Sequence, residues 1–318
     1  MGQPLPGRIV FMGTPEFAAA SLGALLEAKA NVVAAFTQPD KPVGRKRILT
    51  EPAVKVLARS AGIPVHQPRT LKDAAVVGTL RDLRPDVIAV AAYGKILPVD
   101  VLSIPPMGCI NVHASLLPRH RGASPIAHAI WSGDAETGVT IMRMEEGLDT
   151  GPMLLQRAVP MPAGATTESL TPMLAGLGGD LIVAALRGLQ ADILEDAPQD
   201  DALATHAPRL NAGDGRLDFG LPAASLERQV RAFRPWPGTF FLLDGWKIKV
   251  IEVRLGETAR SGGRPGTVVV GPESLGVRCG DGRLLEILQL QREGRRPMSA
   301  VAFLRGFTLP EGTVLPTV

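Results

Sequence analysis

Residues 108–151 read GCINVHASLLPRHRGASPIAHAIWSGDAETGVTIMRMEEGLDTG. The opening run, Cys109-Ile110-Asn111-Val112-His113, has the length and β-branched content of a buried strand end. Strand side chains alternate between faces, so Asn111 and His113 are neighbours on one face. A carboxamide beside an imidazole is a reactive pair, not a packing pair. Ser115-Leu116-Leu117-Pro118 follows, then a basic loop, Arg119-His120-Arg121-Gly122, and Ser124-Pro125 reads as a helix start with Pro in the first turn. That helix is expected to carry Ile126, Ala127, Ala129, Ile130 and Trp131 inward. Gly147 and Gly151 flank Asp149 in a loop that can bend sharply, so its carboxylate can reach the imidazole.

Upstream, strands alternate with helices. Arg8–Gly13 reads as a buried strand, Pro15–Ala28 as a helix with Phe17, Leu22, Leu25 and Leu26 apolar, and Asn31–Thr37 as a second strand. A helix over 53–61, a short strand near Val65, a helix over 71–83 and a strand over 86–92 continue the pattern. Alternation of this kind implies parallel pairing with right-handed crossovers, an α/β fold with a doubly wound, mostly parallel Rossmann-like sheet. Tyr93-Gly94 closes one strand and Asn111–Ser115 the next, at the carboxyl ends where open α/β sheets bind ligands. Gly13-Thr14-Pro15 lacks the remaining glycines of a dinucleotide fingerprint and reads as a tight turn. Strand character returns at 137–144 and 153–161, and 166–189 reads as one long amphipathic helix covering the sheet.

Residues 192–208 are acidic and then punctuated by proline, the composition of a linker, so the expected domains are 1–205 and 206–318. The second holds a helix over 225–233, then Arg231-Ala-Phe-Arg-Pro-Trp-Pro237 and short strands at 239–243, 246–253, 266–270, 275–279 and 283–290. Met298–Leu304 is expected to form its closing helix. Short strands between glycine turns suggest a small β-barrel, with the oligonucleotide-binding type as one option.

Of the 318 residues, 45% are hydrophobic and 20% charged, ordinary for a soluble globular protein. Residues 1–205 carry 18 Lys and Arg against 20 Asp and Glu, and 206–318 carry 16 against 11, so the second part is basic. A basic surface suits an anionic partner, nucleic acid being one. Two cysteines, Cys109 and Cys279, exclude a disulfide framework and offer no paired metal spacing; no metal is expected. The N-terminus shows no basic region followed by an apolar run, and no stretch reads as long enough for a bilayer, so a cytoplasmic protein without a membrane partner is expected.

Asn111-x-His113, Ser115-Leu-Leu-Pro118, the loop to Gly122, and Glu136-Thr-Gly-Val-Thr140 through Asp149-Thr-Gly151 together resemble the catalytic core of the 10-formyl-tetrahydrofolate formyltransferases. Within that superfamily the chain is similar, from about Arg8 onward, to the family that formylates methionyl-tRNA. The resemblance implies Asn111, His113 and Asp149 as the catalytic three. It implies 10-formyl-tetrahydrofolate as co-substrate in the crevice of Tyr93, Gly94, Ser115, Leu116, Leu117 and Pro118. It also implies initiator methionyl-tRNA as the nucleic-acid partner of a monomeric enzyme.

Residues 38–50 are too polar, and too broken by proline and glycine, to read as regular structure, and they carry Lys41, Arg45, Lys46 and Arg47. By themselves these are a solvated charge run or an RNA contact; the resemblance implies that the loop enters the acceptor end of the tRNA.

Formyl transfer to an amine needs an oxyanion donor and a proton path. A preorganised carboxamide N–H suits the first, which falls to Asn111. His113 can donate as imidazolium or relay protons as a base, and Asp149 would fix its tautomer. Ser115 lacks a nucleophile-elbow pattern, so direct attack by the amine is the simpler route. The alternative in the same class is a formyltransferase acting on a nucleotide-linked amino sugar. A glycinamide ribonucleotide enzyme would not need the residues beyond 206, and a folate hydrolase or an RNA-binding protein on the same scaffold stands further off.

Overall fold

The computed structural model describes residues 5–44, 47–258 and 263–317. Its first strand, β1 (Ile9–Gly13), is buried along its whole length, as a central parallel strand covered on both faces must be. In chain order follow α1 (Glu16–Glu27), β2 (Val32–Phe36), β3 (Lys41–Val43), β4 (Ile48–Thr50), α2 (Ala53–Ser60), β5 (Val65–His66), α3 (Ala74–Asp82), β6 (Val87–Ala91) and α4 (Val99–Leu102). Next come β7 (Cys109–His113), α5 (Pro125–Ser132), β8 (Glu136–Arg143), β9 (Met153–Pro160) and α6 (Thr167–Gln190).

One sheet takes seven of these strands in the order β5-β2-β1-β6-β7-β8-β9. The first five run parallel, β8 pairs antiparallel with β7, and β9 pairs antiparallel with β8. The chain winds outward from β1 through β2 to β5, then returns to β6 on the other side. The strand order therefore reverses between β1 and β6, and the crevice of such sheets opens at the carboxyl ends there. Thr14 Oγ1 ties the two ends together by donating to the Tyr93 carbonyl at 3.1 Å.

Compact packing divides the chain into residues 1–125, 136–160 and 171–208 on one side and 126–135, 161–170 and 209–318 on the other. The second unit adds α7 (Ala223–Ala232), β10 (Thr239–Leu243), β11 (Trp246–Thr258), β12 (Val268–Val270), β13 (Leu275–Arg278), β14 (Arg283–Arg292), β15 (Met298–Ser299) and α8 (Ala300–Gly306). Its antiparallel ladder runs β10-β11-β14-β13-β12, with β15 on β14, around one apolar core that includes Leu226, Phe241, Ile248, Val277, Ile287 and Phe303. Among the described residues the ladder stays open between β12 and β10, the arrangement of a partly open small barrel. Within this unit Trp131 meets the Phe233 ring edge-on at 4.9 Å, which leaves Trp131 and Ile126 half-buried while Ala127, Ala129 and Ile130 are fully buried.

Several expectations need correction. Within 38–50 two short stretches are regular: β3 and β4 pair as an antiparallel hairpin, with Gly44 (φ 71°) and Arg47 (φ 50°) in left-handed conformations and the Arg47 N–H donating to the Gly44 carbonyl. Residues 192–208 run mostly exposed but are tied to the first unit at several points: Arg143 clasps Asp196, Ala197 bridges to Met153 and His206 to Arg121. The helix expected from Leu71 starts at Ala74, where the Asp73 side chain caps it. Met298 belongs to a strand rather than to α8.

One stretch does have bilayer length: Thr167–Gln190 is apolar and long enough, by length and composition, to cross a membrane. Its Leu174, Leu181, Ile182, Ala185 and Leu186 are buried, and a Cβ on Gly178 would sit 2.7 Å from Val112 Cγ1. The apolar length is spent on the sheet.

Candidate active site

β7 sets the site. Asn111 pairs with Val90 and Met142, and His113 with Thr140, so both side chains leave the same face while Ile110 and Val112 fill the core on the other. His113 is only 4% exposed. Its Nε2 lies 2.9 Å from the His120 carbonyl oxygen, and since a carbonyl only accepts, Nε2 carries the proton. Nδ1 faces Asp149 Oδ2 at 3.6 Å. Both ring nitrogens therefore look at oxygen, an arrangement suited to an imidazolium whose charge the carboxylate balances.

Asp149 reaches this position from a left-handed backbone, φ 55°, and its Oδ2 also accepts from the Gly122 N–H at 2.9 Å. Gly122 is required there: its φ is 127°, and a Cβ would fall 2.6 Å from the Ala207 carbonyl oxygen. Ala92 (φ 42°) and His120 (φ 62°) are left-handed too. Of these, Asp149 and His120 both face the His113 ring, two non-glycine residues in a sparsely populated conformation where geometry is held against local preference.

The Ser115–Pro118 turn is fixed by Thr140 Oγ1, which donates to the Ser115 carbonyl at 2.7 Å and accepts from Leu117 N–H at 3.2 Å. Gln156 Nε2 bonds the same hydroxyl and the Leu117 carbonyl, both at 2.9 Å. Ser115 is buried, with its hydroxyl donated to the Arg119 carbonyl at 2.7 Å, while Leu116 and Pro118 stay half-buried. On the neighbouring strand end the Tyr93 ring is buried in the core, where burial pushes its phenol up to about 12, and what reaches the crevice is its backbone with exposed Gly94 and Ile96. The backbone carbonyls at this strand end are already engaged, Gln38 Nε2 donating to Tyr93 at 3.0 Å and to Gly94 at 3.1 Å, so the exposed apolar side chain here is that of Ile96.

Of the basic loop, Lys41 and Arg47 are exposed on the hairpin, with Lys41 Nζ bonded to Gln38 Oε1; Arg45 and Lys46 lie outside the described residues. The hairpin stem is anchored. Asp40 accepts from Gln67 at 2.7 Å and from Lys55 at 2.7 and 2.9 Å, and these hydrogen bonds, Gln67's first, hold its carboxyl below the ordinary value.

Sequence reasoning missed a second layer of residues. Gln199 Nε2 donates to the Asp149 and Gly151 carbonyls at 2.9 and 2.7 Å, and its Oε1 accepts from Arg121 Nε at 2.9 Å. The buried Arg121 also pairs with Asp201 at 2.8 Å. These partners lie roughly 50 to 80 positions apart in the chain, and no local pattern announces them. Among the described residues no group of three His, Cys, Asp or Glu is placed to hold a metal ion.

Comparison with known proteins adds the family context. The formyl transferase model matches residues 7–186, and the formyl transferase C-terminal domain model matches residues 209–308. The chain is 48% identical over 307 residues to the methionyl-tRNA formyltransferase of Myxococcus xanthus (strain DK1622), covering 96% of this chain and 97% of that one. It is 50% identical over 293 residues to the protein of the same name from Pseudomonas paraeruginosa (strain DSM 24068 / PA7), covering 92% and 93%. In fold it is similar to WlaRD, a sugar 3N-formyl transferase solved in the presence of dTDP and 5-N-formyl-THF, with TM-score 0.66 at 16% identity over 91% of this chain and 98% of that one. HypX from Aquifex aeolicus, solved in complex with tetrahydrofolic acid, gives TM-score 0.63 at 17% identity over 98% and 51%.

Proposed function

The chain belongs to the formyl transferase family, and on that premise we propose that it transfers the formyl group of 10-formyl-tetrahydrofolate to the α-amino group of methionyl-initiator tRNA. The observation that carries the chemistry is the pairing of Asn111 and His113 on one strand face with Asp149 Oδ2 at 3.6 Å from the ring. The acceptor is carried by relatives 48–50% identical along more than nine tenths of both chains. A sugar acceptor has support only at the level of fold.

Each residue then has a task. Asn111 offers carboxamide N–H groups to the oxygen that gains charge as the amine adds to the formyl carbon. His113 Nδ1, whose partner nitrogen is committed to the His120 carbonyl, takes the proton that the attacking amine sheds and returns it to the departing nitrogen. Asp149 balances the imidazolium while that proton is held. The backbone of Tyr93 and Gly94, with the Ser115–Pro118 turn, forms the floor and wall on which the folate rests. Lys41, Arg45, Lys46 and Arg47 supply positive charge to the tRNA acceptor end, and the basic surplus of residues 206–318 supports phosphate contacts by the second domain, 206–318, alongside a catalytic domain of residues 1–205. A charged tRNA acceptor supports a cytoplasmic location for the enzyme.

The test offers purified enzyme 10-formyl-tetrahydrofolate with methionyl initiator tRNA in one reaction and a nucleotide-linked 4-amino sugar in another. Formylation of the tRNA alone is expected. Formylation of the sugar alone would keep the chemistry and remove every assignment to RNA.

A further inference from the structure

The two oxygens that face the His113 ring are reached from a single segment. On the Nδ1 side, Asp149 sits in a strained left-handed turn whose two carbonyls, at Asp149 and Gly151, take both hydrogens of the Gln199 amide. The Gln199 amide cannot rotate freely, because its oxygen is held by Arg121 Nε, and Arg121 is 5% exposed. On the Nε2 side, the His120 carbonyl is presented by a turn whose His120 N–H donates to Thr205 Oγ1 at 2.8 Å and whose Arg121 N–H donates to the Thr205 carbonyl at 2.8 Å. Arg121 and His206 form a parallel bridge that locks the segment alongside the loop.

We infer that Gln199 and Thr205 are positioning residues for formyl transfer, one segment clamping both oxygens, the His120 carbonyl at 2.9 Å and the Asp149 carboxylate at 3.6 Å, that orient and charge-balance His113. A carboxylate left to a mobile loop would spend much of its time away from the ring, and an imidazole without its carbonyl partner would lose its tautomer. Groups that orient a catalytic side chain through its hydrogen-bonding partner commonly cost ten- to a hundredfold in activity when removed. The clamp rests on the reading of His113 and Asp149 as the proton-handling pair.

Full-length Gln199→Ala is expected to lower kcat about 10- to 100-fold, with KM for folate and for tRNA changed by no more than about twofold. In an Asp149→Ala background the same substitution should add no further loss, since Gln199 acts through Asp149. An equal loss in that background, or a raised KM at unchanged kcat, would overturn the inference. Gln199→Glu, which keeps the side-chain volume but removes the donor, should behave as the alanine variant does and stands in for it if that variant does not fold. Thr205→Val should also lower kcat without raising KM. The ring nitrogen signals of His113 in imidazole-labelled protein, assigned by their loss in His113→Ala, give a readout independent of activity. They should move in both Gln199 variants without any substrate present. Unmoved signals would sink the clamp, whereas a wild-type enzyme that formylates no acceptor would sink the functional reading and leave the nitrogen signals to decide the clamp.

Discussion

The proton on His113 Nε2 is committed to the His120 carbonyl, so removing the ring and removing the Asn111 carboxamide are different experiments. Asn111 is half-buried, and truncating it takes away a donor that matters most when charge develops in the transition state. Asn111→Ala should therefore lower kcat by about 10²–10³-fold with an unchanged circular dichroism spectrum and melting temperature; a near-normal rate would strip the residue of its oxyanion role. His113→Ala should show a comparable loss in kcat but also a lower melting temperature, because it removes the 2.9 Å hydrogen bond from the ring to the His120 carbonyl, at about 0.5–1.5 kcal/mol. The two cysteines respond to pH for another reason. Burial pushes the Cys109 thiol up to about 12, and burial with the nearby Asp281 does the same for Cys279, against an ordinary value of 9.0. Folded thiols keep protons that unfolded thiols release, so stability is expected to fall as pH rises from about 9 toward about 12. At pH 9.5 both should resist alkylation until denaturant is added, and rapid labelling of native protein would show that one of them is accessible.

A single long helix carries much of the sheet's cover, and its fit depends on a missing side chain. α6 brings Gly178 so close to the sheet that a Cβ would meet Val112 Cγ1 at 2.7 Å, and Val112 is itself locked in β7 directly between Asn111 and His113. Gly178→Val should lower the unfolding free energy by about 1–3 kcal/mol in urea titrations, and because the clash falls on the strand that bears the reactive pair, kcat should fall with it. Stability without change would mean that the helix shifts freely. β7 itself was legible from residues alone: period-two alternation dictates that Asn111 and His113 share a face, and the strand ends where the expectation put it. The hairpin at 41–50 was hidden because β3 and β4 are three residues each, too short for a hydrophobic period to emerge among the charges. Residues 192–208 misled for a physical reason too. Polar and proline-rich composition describes a segment without its own core, and that is equally true of a spacer and of a strap whose polar atoms bond a distant loop. Gln199 could be assigned only once Asp149 and Arg121 were beside it.

Charge is the property that the whole molecule contributes. Residues 206–318 hold 16 Lys and Arg against 11 Asp and Glu, residues 1–205 hold 18 against 20, and the exposed basic residues of the first unit include Lys41 and Arg47 on the hairpin. An acceptor as anionic as tRNA releases condensed counterions when it binds such surfaces, each phosphate neutralised contributing about 0.7–0.9 to the slope of log affinity against log salt. The folate co-substrate has no such atmosphere to release. Raising salt from about 50 to about 200 mM should therefore raise KM for tRNA by orders of magnitude while KM for 10-formyl-tetrahydrofolate changes little. Arg45→Ala should reduce the tRNA slope by roughly one unit and leave the folate parameters alone. If both substrates showed the same slope, or if Arg45→Ala weakened both equally, the hairpin would be a structural element and phosphate recognition would have to lie elsewhere on the basic surface.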